Sequence, residues 1–309
     1  MTPATTPPKQ ALLIFNPKSG RGDSSLPEFI GALGALGWSV EAVELQQETD
    51  LDALVQAGQH QVVIAAGGDG TVSALAYTLK NTGTPLLAYP AGTANLIAQN
   101  LNLPEDPAQL AQIVDTGHTV RLDLGELEVA GETRGFVMTA GAGIDAAMIK
   151  GAEGLKDKLG AMAYVVSAVK QINPESTTFE LELDGERRDF EAMTVMVANF
   201  GMANFRLPIA AGVSPSDGLL SVLVLKPGSL LTLLPNLMDS LRARLHLGEP
   251  VFGNNMEIFT AKQVTIRSAQ PFPLQYDGEM HEETTPFTAR VLPGAVCFLT
   301  AVRIEELNT

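Results

Sequence analysis

The sequence predicts two domains, an α/β domain built on a parallel sheet and, after it, a largely antiparallel β domain. Strand-like and helix-like segments alternate up to about Gly125, which is typical of a parallel sheet with helices on both faces. Beyond Gly125 strand-like segments dominate, and turn signals such as Asp184-Gly185 separate some of them. The 309 residues also suffice for two domains of about 150 residues each.

The elements of the first domain follow from short apolar runs and from apolar residues at helical spacing. Val62-Val63-Ile64-Ala65-Ala66 carries no charge and is rich in β-branched residues, which indicates a buried strand. Val72, Leu75, Ala76 and Leu79 then recur at helical spacing. The same patterns predict strands over residues 11–15, 39–45, 86–89 and 119–124, helices over 26–36, 51–57 and 96–100, and a further short helix opening at Asp106-Pro107-Ala108.

The second domain is predicted to be mainly β. Its strands are expected over residues 126–129, 135–140, 179–183, 193–198, 219–225, 263–267, 274–276 and 288–292, with helical insertions over 145–170 and 230–247. The very apolar segment 295–303 is expected to return to the sheet of the first domain. The resulting division is a disordered tail (residues 1–9), a first domain (10–124, completed by 297–306) and a second domain (125–296).

Composition narrows the class of protein. With 20 Lys and Arg against 35 Asp and Glu, the net charge is −15, which opposes binding to nucleic acid or to an anionic membrane unless a local basic patch exists. No apolar run approaches the roughly 20 residues of a membrane span, and the N-terminus does not resemble a signal peptide. The one cysteine, Cys297, cannot form an internal disulfide. Cytoplasmic localisation is therefore expected.

Three polar loops follow predicted strands of the first domain. They are the NPKSG loop (Asn16-Pro17-Lys18-Ser19-Gly20), the GGDGT loop (Gly67-Gly68-Asp69-Gly70-Thr71) and the GTAN loop (Gly92-Thr93-Ala94-Asn95). In a parallel sheet such loops share the carboxyl edge, where ligands bind. The alternative for each loop is an ordinary βα turn that uses glycine for its geometry.

The GGDGT loop predicts a nucleotide phosphate site. Its glycines allow positive φ and close approach of a ligand, and Thr71 is expected to cap the following helix. The start of that helix offers N–H groups and a positive dipole end to an anion. Asp69 is suited to hold Mg²⁺ on a polyphosphate.

Two acidic segments of the second domain are candidate sites. Asp277-Gly278-Glu279 follows a strand, and a carboxylate there can accept a proton from a substrate hydroxyl. A plain Asp-Gly hairpin turn is the alternative, and the similar Asp184-Gly185-Glu186 is interpreted as a solvent-exposed hairpin. In Ser214-Pro215-Ser216-Asp217-Gly218-Leu219, the Asp217 carboxylate can bind a metal together with backbone oxygens, or simply cap its own turn.

Together these motifs resemble the diacylglycerol kinase catalytic-domain family, and specifically its soluble bacterial lipid kinases. The three loops are similar to the family's NPxSG, GGDGT and GTxN segments. Gly141-Ala142-Gly143-Ile144-Asp145 resembles the glycine-rich strand end that opens its second domain, and residues 277–279 match its DGE. NAD kinases and phosphofructokinases also carry GGDG, so the order of the four motifs is the more specific signal.

The resemblance implies a phosphofructokinase-like ATP-binding domain, a C-terminal β-sandwich, and transfer of the γ-phosphate of ATP to a lipid hydroxyl such as that of diacylglycerol. It implies Glu279 as the proton acceptor with Asp277 beside it. A structural Mg²⁺ would be held by Asp217 with backbone oxygens of Ser214 and Leu219. The implied nucleotide contacts are Asn16, Pro17, Lys18, Ser19, Gly20, Gly68, Asp69, Gly70, Thr71 and Thr93.

The chain departs from the family pattern at three places. Ser73-Ala74 stands where the family often has Asn-Glu, Leu96-Ile97-Ala98-Gln99 lacks the usual cation, and Leu45 stands where the family has threonine. The first departure leaves the nucleotide preference open. Two rival functions are therefore kept: an NAD kinase or sugar-phosphate kinase, and a non-catalytic nucleotide-binding regulator.

The expected partner is a lipid at a membrane surface, reached by transient peripheral contact. Residues 140–148 and 199–205 are candidates to line the lipid pocket. Basic residues on the two helical insertions could dock on anionic lipid, although ordinary solvated helix faces are an equal alternative. They are Lys150, Lys156, Lys158 and Lys170 on one insertion, and Arg242, Arg244 and His246 on the other. Nucleic acid is not expected as a partner, and a homodimer is suggested only by its general frequency.

Overall fold

The computed structural model describes residues 9–19, 25–58, 60–143, 176–200, 214–226, 256–277 and 279–301. The chain forms two compact units, the first from residues 1–124 and 294–309 and the second from residues 125–293. Lys9, assigned above to the tail, begins the first strand. The rest of the predicted tail and both predicted helical insertions lie outside the described residues.

The first unit has the predicted α/β architecture. Its sheet has the order β2-β1-β3-β4, and all of these strands run parallel. The C-terminal part of β16 adds to β4, also parallel, with Cys297 opposite Pro85. The predicted return of the last strand to this sheet is therefore confirmed. The elements are β1 (Lys9–Phe15), α1 (Leu26–Ala35), β2 (Trp38–Glu44), α2 (Leu51–Ala57), β3 (Val62–Gly67), α3 (Asp69–Thr78), β4 (Pro85–Pro90), α4 (Leu96–Asn100), α5 (Pro107–Thr116) and β16 (Phe287–Thr300).

The core of the first unit explains why its strands are apolar throughout. Parallel strands are covered on both faces, and every residue of β3 is buried. Phe29 and Leu33 of α1 and Leu75 of α3 are also fully buried. The rings of Phe29 and Tyr89 lie 4.8 Å apart between centroids, which packs α1 against the end of β4.

In the described part of the second unit, strands of two sheets enclose one core, and this confirms the β-sandwich. One is a six-stranded sheet of order β12-β11-β10-β7-β14-β15, and the other layer consists of strands β6-β5-β16-β13-β8-β9 of a ten-stranded sheet. Val195 and Val222 of the first sheet share a core cluster with Phe179 and Ile266 of the second. The strands are β5 (His118–Val129), β6 (Glu132–Phe136), β7 (Thr139–Gly143), β8 (Thr177–Leu183), β9 (Glu186–Ala192), β10 (Thr194–Ala198), β11 (Leu220–Leu225), β12 (Met256–Ala261), β13 (Gln263–Ser268), β14 (Pro273–Tyr276), β15 (Glu279–Thr284) and β16.

Three strand predictions need correction. Residues 119–124 and 126–129 were expected as two strands, but they lie on the single strand β5, His118–Val129. Residues 135–140 are not one strand, because the chain turns at Val137 and Met138 and passes from β6 in one sheet to β7 in the other. Residues 288–292 and 295–303 were expected as two strands. They lie instead on the single strand β16, which continues through Pro293 and Gly294 and ends at Thr300.

Candidate active site

The NPKSG and GGDGT loops are joined by two hydrogen bonds. They leave the carboxyl ends of the adjacent strands β1 and β3. The backbone N–H of Asn16 donates to the carbonyl of Ala66 at 2.9 Å, and the N–H of Gly68 donates to Ser19 Oγ at 3.2 Å. The Asn16 side-chain oxygen accepts from the N–H of Lys18 at 3.0 Å, which shapes the turn locally. The sheet edge therefore holds Ser19 against the start of α3.

Asp69 joins the GGDGT loop to the helix that follows the GTAN loop. Its Oδ1 accepts from the N–H of Ile97 at 2.8 Å and its Oδ2 from the N–H of Leu96 at 3.1 Å. These two residues open α4, so the carboxylate satisfies donors that a helix leaves unpaired at its start. Burial raises the pKa of Asp69, and the backbone hydrogen bonds from Ile97 and Leu96 oppose this effect.

The GTAN loop packs directly on the GGDGT loop. A Cβ placed on Gly92 would lie 2.6 Å from the Cα of Gly68. Asn95, in the left-handed region at φ 52°, accepts from the N–H of Gly92 at 2.7 Å and donates to the carbonyl of Pro90 at 3.2 Å. Asn95 therefore fixes the loop, a role that the sequence did not suggest beyond its place in the motif.

Glycine in these loops serves close packing. The positive φ expected for glycines of the GGDGT loop was wrong at Gly67 and Gly68. A Cβ on Gly67 would lie 2.4 Å from Thr71 Oγ1. The predicted cap was also wrong, because α3 begins at Asp69 with Gly68 as its N-cap. Thr71 is the third residue of the helix and is buried.

The other predicted nucleotide contacts differ in their surroundings. Pro17, Lys18 and Thr93 are exposed. The N–H of Thr71 donates to the carbonyl of Gly68 at 3.0 Å, so this donor already has a partner within the loop. Gly20 lies outside the described residues, and Gly70 is the second residue of α3.

Asp277 anchors a turn in the second unit. Its Oδ1 accepts from the N–H groups of Met138 and Thr139 at 2.8 and 3.0 Å, and its Oδ2 accepts from the N–H of Val137 at 2.8 Å. Its own N–H donates to the carbonyl of Thr139 at 2.8 Å. Asp277 is 7% exposed. Its carboxylate therefore fixes the turn that carries the chain from β6 to β7.

Asn199 holds the same turn from its other side. Its N–H donates to the carbonyl of Met138 at 2.8 Å, and its side-chain amide donates to the carbonyl of Val137 at 2.8 Å. Asn199 is completely buried. The sequence had suggested it only as a member of the lipid pocket, and residues 201–205 and 144–148 of that predicted pocket lie outside the described residues.

The remaining predicted sites are described only in part. Glu279 begins β15 with its backbone opposite Tyr276. Asp217 is exposed, and its Oδ1 accepts from the N–H of Leu219 at 2.9 Å, which is the self-capped turn kept above as an alternative. Ser214 is half-buried. Among the described residues, no group of three or more His, Cys, Asp and Glu could hold a metal.

The membrane-docking candidates Lys150, Lys156, Lys158, Lys170, Arg242, Arg244 and His246 lie outside the described residues. Within the described segments, no helix combines the length and the apolar character that a membrane crossing requires.

Comparison with known proteins assigns both parts of the chain. Residues 10–127 match the diacylglycerol kinase catalytic domain, and residues 138–300 match the YegS C-terminal NAD kinase beta sandwich-like domain. A Pseudomonas fluorescens protein named "Probable lipid kinase YegS-like" is 29% identical, over 93% of this chain and 94% of that protein. A protein of Staphylococcus carnosus named diacylglycerol kinase is 25% identical, over 88% of this chain and 89% of that protein.

Solved structures share the fold. A diacylglycerol kinase from Bacillus anthracis superposes with a TM-score of 0.68 at 21% identity, over 96% of this chain and all of that one. An NAD kinase from Archaeoglobus fulgidus, solved in complex with ATP, superposes with a TM-score of 0.54 at 12% identity, over 96% of this chain and 95% of that one. The three loops, the β-sandwich and both domain matches indicate the same family. The chain therefore belongs to the diacylglycerol kinase catalytic-domain family, whose members are lipid kinases, and carries a YegS-type C-terminal domain.

Proposed function

We propose that this protein transfers the γ-phosphate of ATP to the hydroxyl group of a lipid such as diacylglycerol. The main support is a pair of hydrogen bonds. Ser19 and Gly68 join the NPKSG loop to the GGDGT loop, and Asp69 and Ile97 join the GGDGT loop to the helix after the GTAN loop. Loops at the carboxyl edge of a parallel sheet, next to a helix start, suit a polyphosphate. The relatives named as diacylglycerol and lipid kinases support the class of acceptor.

In this proposal Lys18 and the N–H groups of Gly68, Gly70 and Thr71 hold the phosphates, and the other nucleotide contacts are Asn16, Pro17, Ser19, Gly20 and Thr93. The N–H groups of Gly68 and Thr71 already donate to Ser19 Oγ and to the carbonyl of Gly68. A phosphate that binds these N–H groups must therefore replace their present acceptors or share the N–H groups with them.

Mg²⁺ is the expected companion of ATP. The Asp69 oxygens fit a hard cation, because each carboxylate oxygen has a second lone pair beyond its one backbone hydrogen bond. A second, structural Mg²⁺ would be held by Asp217 with backbone oxygens of Ser214 and Leu219. The Mg²⁺ held by Asp69 would neutralise negative charge on the phosphates of ATP.

The reaction needs one proton acceptor, and Glu279 is assigned that role. A bond forms between the lipid oxygen and the γ-phosphorus while the bond from that phosphorus to the β-γ bridging oxygen breaks. ADP leaves, and the hydroxyl proton passes to the Glu279 carboxylate. Positioning and electrostatics supply most of the acceleration in such transfers, and a general base adds about 10²- to 10⁴-fold.

The test is transfer of radiolabelled γ-phosphate from ATP and Mg²⁺ to a total bacterial lipid extract in mixed micelles. Parallel reactions contain NAD or fructose 6-phosphate. A labelled lipid that is absent with Glu279→Gln supports the proposal, and its chromatographic identity names the substrate. Label in NAD or in the sugar would assign the rival kinase activities. ATP binding without transfer to any acceptor would favour a nucleotide-binding regulator, which the Ser73-Ala74 departure makes worth testing.

A further inference from the structure

The second unit consists of two copies of a six-strand module. Strands β5 to β10 form the first copy and β11 to β16 form the second. In each copy the first strand pairs with the second, the third with the sixth and the fourth with the fifth. The third strand of each copy also pairs with the fourth strand of the other. The sixth strand of each pairs with the first strand of the other. Every pairing in one copy therefore has its counterpart in the other.

The two Asp-Gly-Glu segments occupy equivalent places in these copies. Asp184 follows β8 and Asp277 follows β14, which are the fourth strands of the two modules. Both aspartates have positive φ, 49° and 47°. The N–H of Asp184 donates to the carbonyl of Gln263 at 3.0 Å, and the N–H of Asp277 donates to that of Thr139 at 2.8 Å. Gln263 and Thr139 each open the third strand of the other copy.

The two carboxylates also bind in the same way. Asp184 accepts from the N–H of Lys262 at 3.0 and 3.1 Å and from the N–H of Gln263 at 2.8 Å. Asp277 accepts from the N–H groups of Met138 and Thr139, and additionally from Val137. Asp184 is exposed, and the proposed reaction gives it no role. The fold alone therefore explains an aspartate at this position.

We propose that Asp277 is a positioning residue of the kinase and not its proton acceptor. Both of its oxygens hold the turn of residues 137–139, and this bond set fixes the chain two residues before Glu279. Asp277 is also only 7% exposed, and hydrogen bonds to a carboxylate lower its affinity for a proton. We therefore assign the proton to Glu279. This inference rests on the proposed lipid kinase function, and it separates the roles of two carboxylates that the family motif presents as a pair.

The test compares Asp277→Asn and Asp277→Ala with the matched pair Asp184→Asn and Asp184→Ala in the full chain. Urea unfolding, kcat and the pH dependence of kcat are measured for each variant. Asparagine keeps one acceptor oxygen for Met138 and Thr139, so Asp277→Asn should lower kcat about tenfold and Asp277→Ala about 100-fold. The acid limb of the pH–rate curve should stay in place in both. Both Asp184 variants should lower the urea midpoint and keep the wild-type kcat.

Three results would overturn the inference. Equal inactivity of Asp277→Asn and Asp277→Ala, or loss of the acid limb in Asp277→Asn, would make Asp277 the base. Wild-type kcat in both Asp277 variants would remove its positioning role. If Asp277→Ala does not fold, the pH profile of Asp277→Asn still decides. If the wild-type protein transfers no phosphate, the proposed function is wrong and Asp277 is not a positioning residue of a kinase. The urea midpoints of Asp277→Asn and Asp184→Asn then still show whether the two aspartates stabilise their turns equally.

Discussion

The Asp69 carboxylate accepts a 2.8 Å hydrogen bond from the backbone N–H of Ile97, so the GGDGT loop directly holds the helix after the GTAN loop. Asp69→Asn should disturb both loops, because the asparagine has an NH₂ group in place of one carboxylate oxygen. That NH₂ group is a donor and would face a backbone N–H group, which is also a donor. We expect a loss of about 1–3 kcal/mol in the free energy of unfolding, typical of a buried donor left unpaired. Urea unfolding measures this loss, and phosphate transfer should fall with it. Wild-type turnover in this variant would contradict the assignment.

The same residue predicts a pH dependence of stability. Burial raises the pKa of Asp69 above its ordinary value of 3.8. Between that value and the higher folded pKa, the native state binds more protons than the unfolded state, so stability falls as the pH rises. The free energy of unfolding of wild type should therefore exceed that of Asp69→Asn by the largest amount below pH 3.8. This difference should decline as the pH rises through the window. Urea unfolding of both proteins across the window measures it, and an advantage that grows with pH would be inconsistent with the burial of Asp69.

Gly92→Ala should separate the two loops that Gly92 and Gly68 bring together. The new Cβ would start 2.6 Å from the Cα of Gly68, so the backbone has to move. We expect a loss of stability of about 1–3 kcal/mol and a higher KM for ATP. Steady-state kinetics at varied ATP, together with urea unfolding, measures both effects.

Gly31→Ala on α1 is the matched control for this change. Apart from its chain neighbours and the backbone of its own helix, nothing lies within 4 Å of a Cβ placed on Gly31. Alanine favours a helix over glycine by about 1 kcal/mol. The control should keep the wild-type KM and should be as stable as wild type or more so. An unchanged KM for ATP in Gly92→Ala would show that the close packing of the loops does not serve nucleotide binding.

Much of the fold was predictable, because a buried strand appears in the sequence as a short, continuous apolar run. The run 62–66 and the return of the C-terminal strand were read from apolar runs alone, and each is buried in the first unit. The strands that were missed are β9, β12 and β15, and each forms an edge of its sheet. Edge strands face water and are often charged. The sequence ERRDFEA of β9 accordingly carries no apolar alternation.

The candidate site was predictable only as a set of loops. Motif order placed Ser19 and Asp69 near the sheet edge, but it did not show that their side chains bind backbone N–H groups of neighbouring loops. Such contacts join residues far apart in sequence, so spacing cannot reveal them. The solvent-hairpin interpretation of Asp184 was correct about exposure and missed its anchoring role. Only the comparison of the two modules made that role visible.

An ion pair in the first unit joins β1 to α5. Asp115 forms a salt bridge with Lys9 and accepts from Trp38 Nε1 at 2.9 Å, and the hydrogen bond from Lys9 lowers the pKa of Asp115. Lys9→Met should cost at most about 1 kcal/mol at neutral pH, because the pair is partly exposed. A lowered pKa contributes stability that is lost as the pH falls through the folded value. The difference between the two proteins in urea unfolding should therefore shrink in acid, and a difference that persists there would remove Asp115 as its source.

Asn199→Val tests what distinguishes the two modules. Asn199 and Val291 are equivalent, because each donates its N–H to the residue before the third strand, Met138 at 2.8 Å and Lys262 at 2.9 Å. Only Asn199 adds a side-chain bond, to the carbonyl of Val137. The variant should lose about 1–3 kcal/mol of stability and should lower kcat with the acid limb of the pH profile unchanged. The reverse change, Val291→Asn, buries an amide and should destabilise the protein to a similar degree while leaving kcat alone. Wild-type kcat in Asn199→Val would mean that the turn of residues 137–139 serves folding alone.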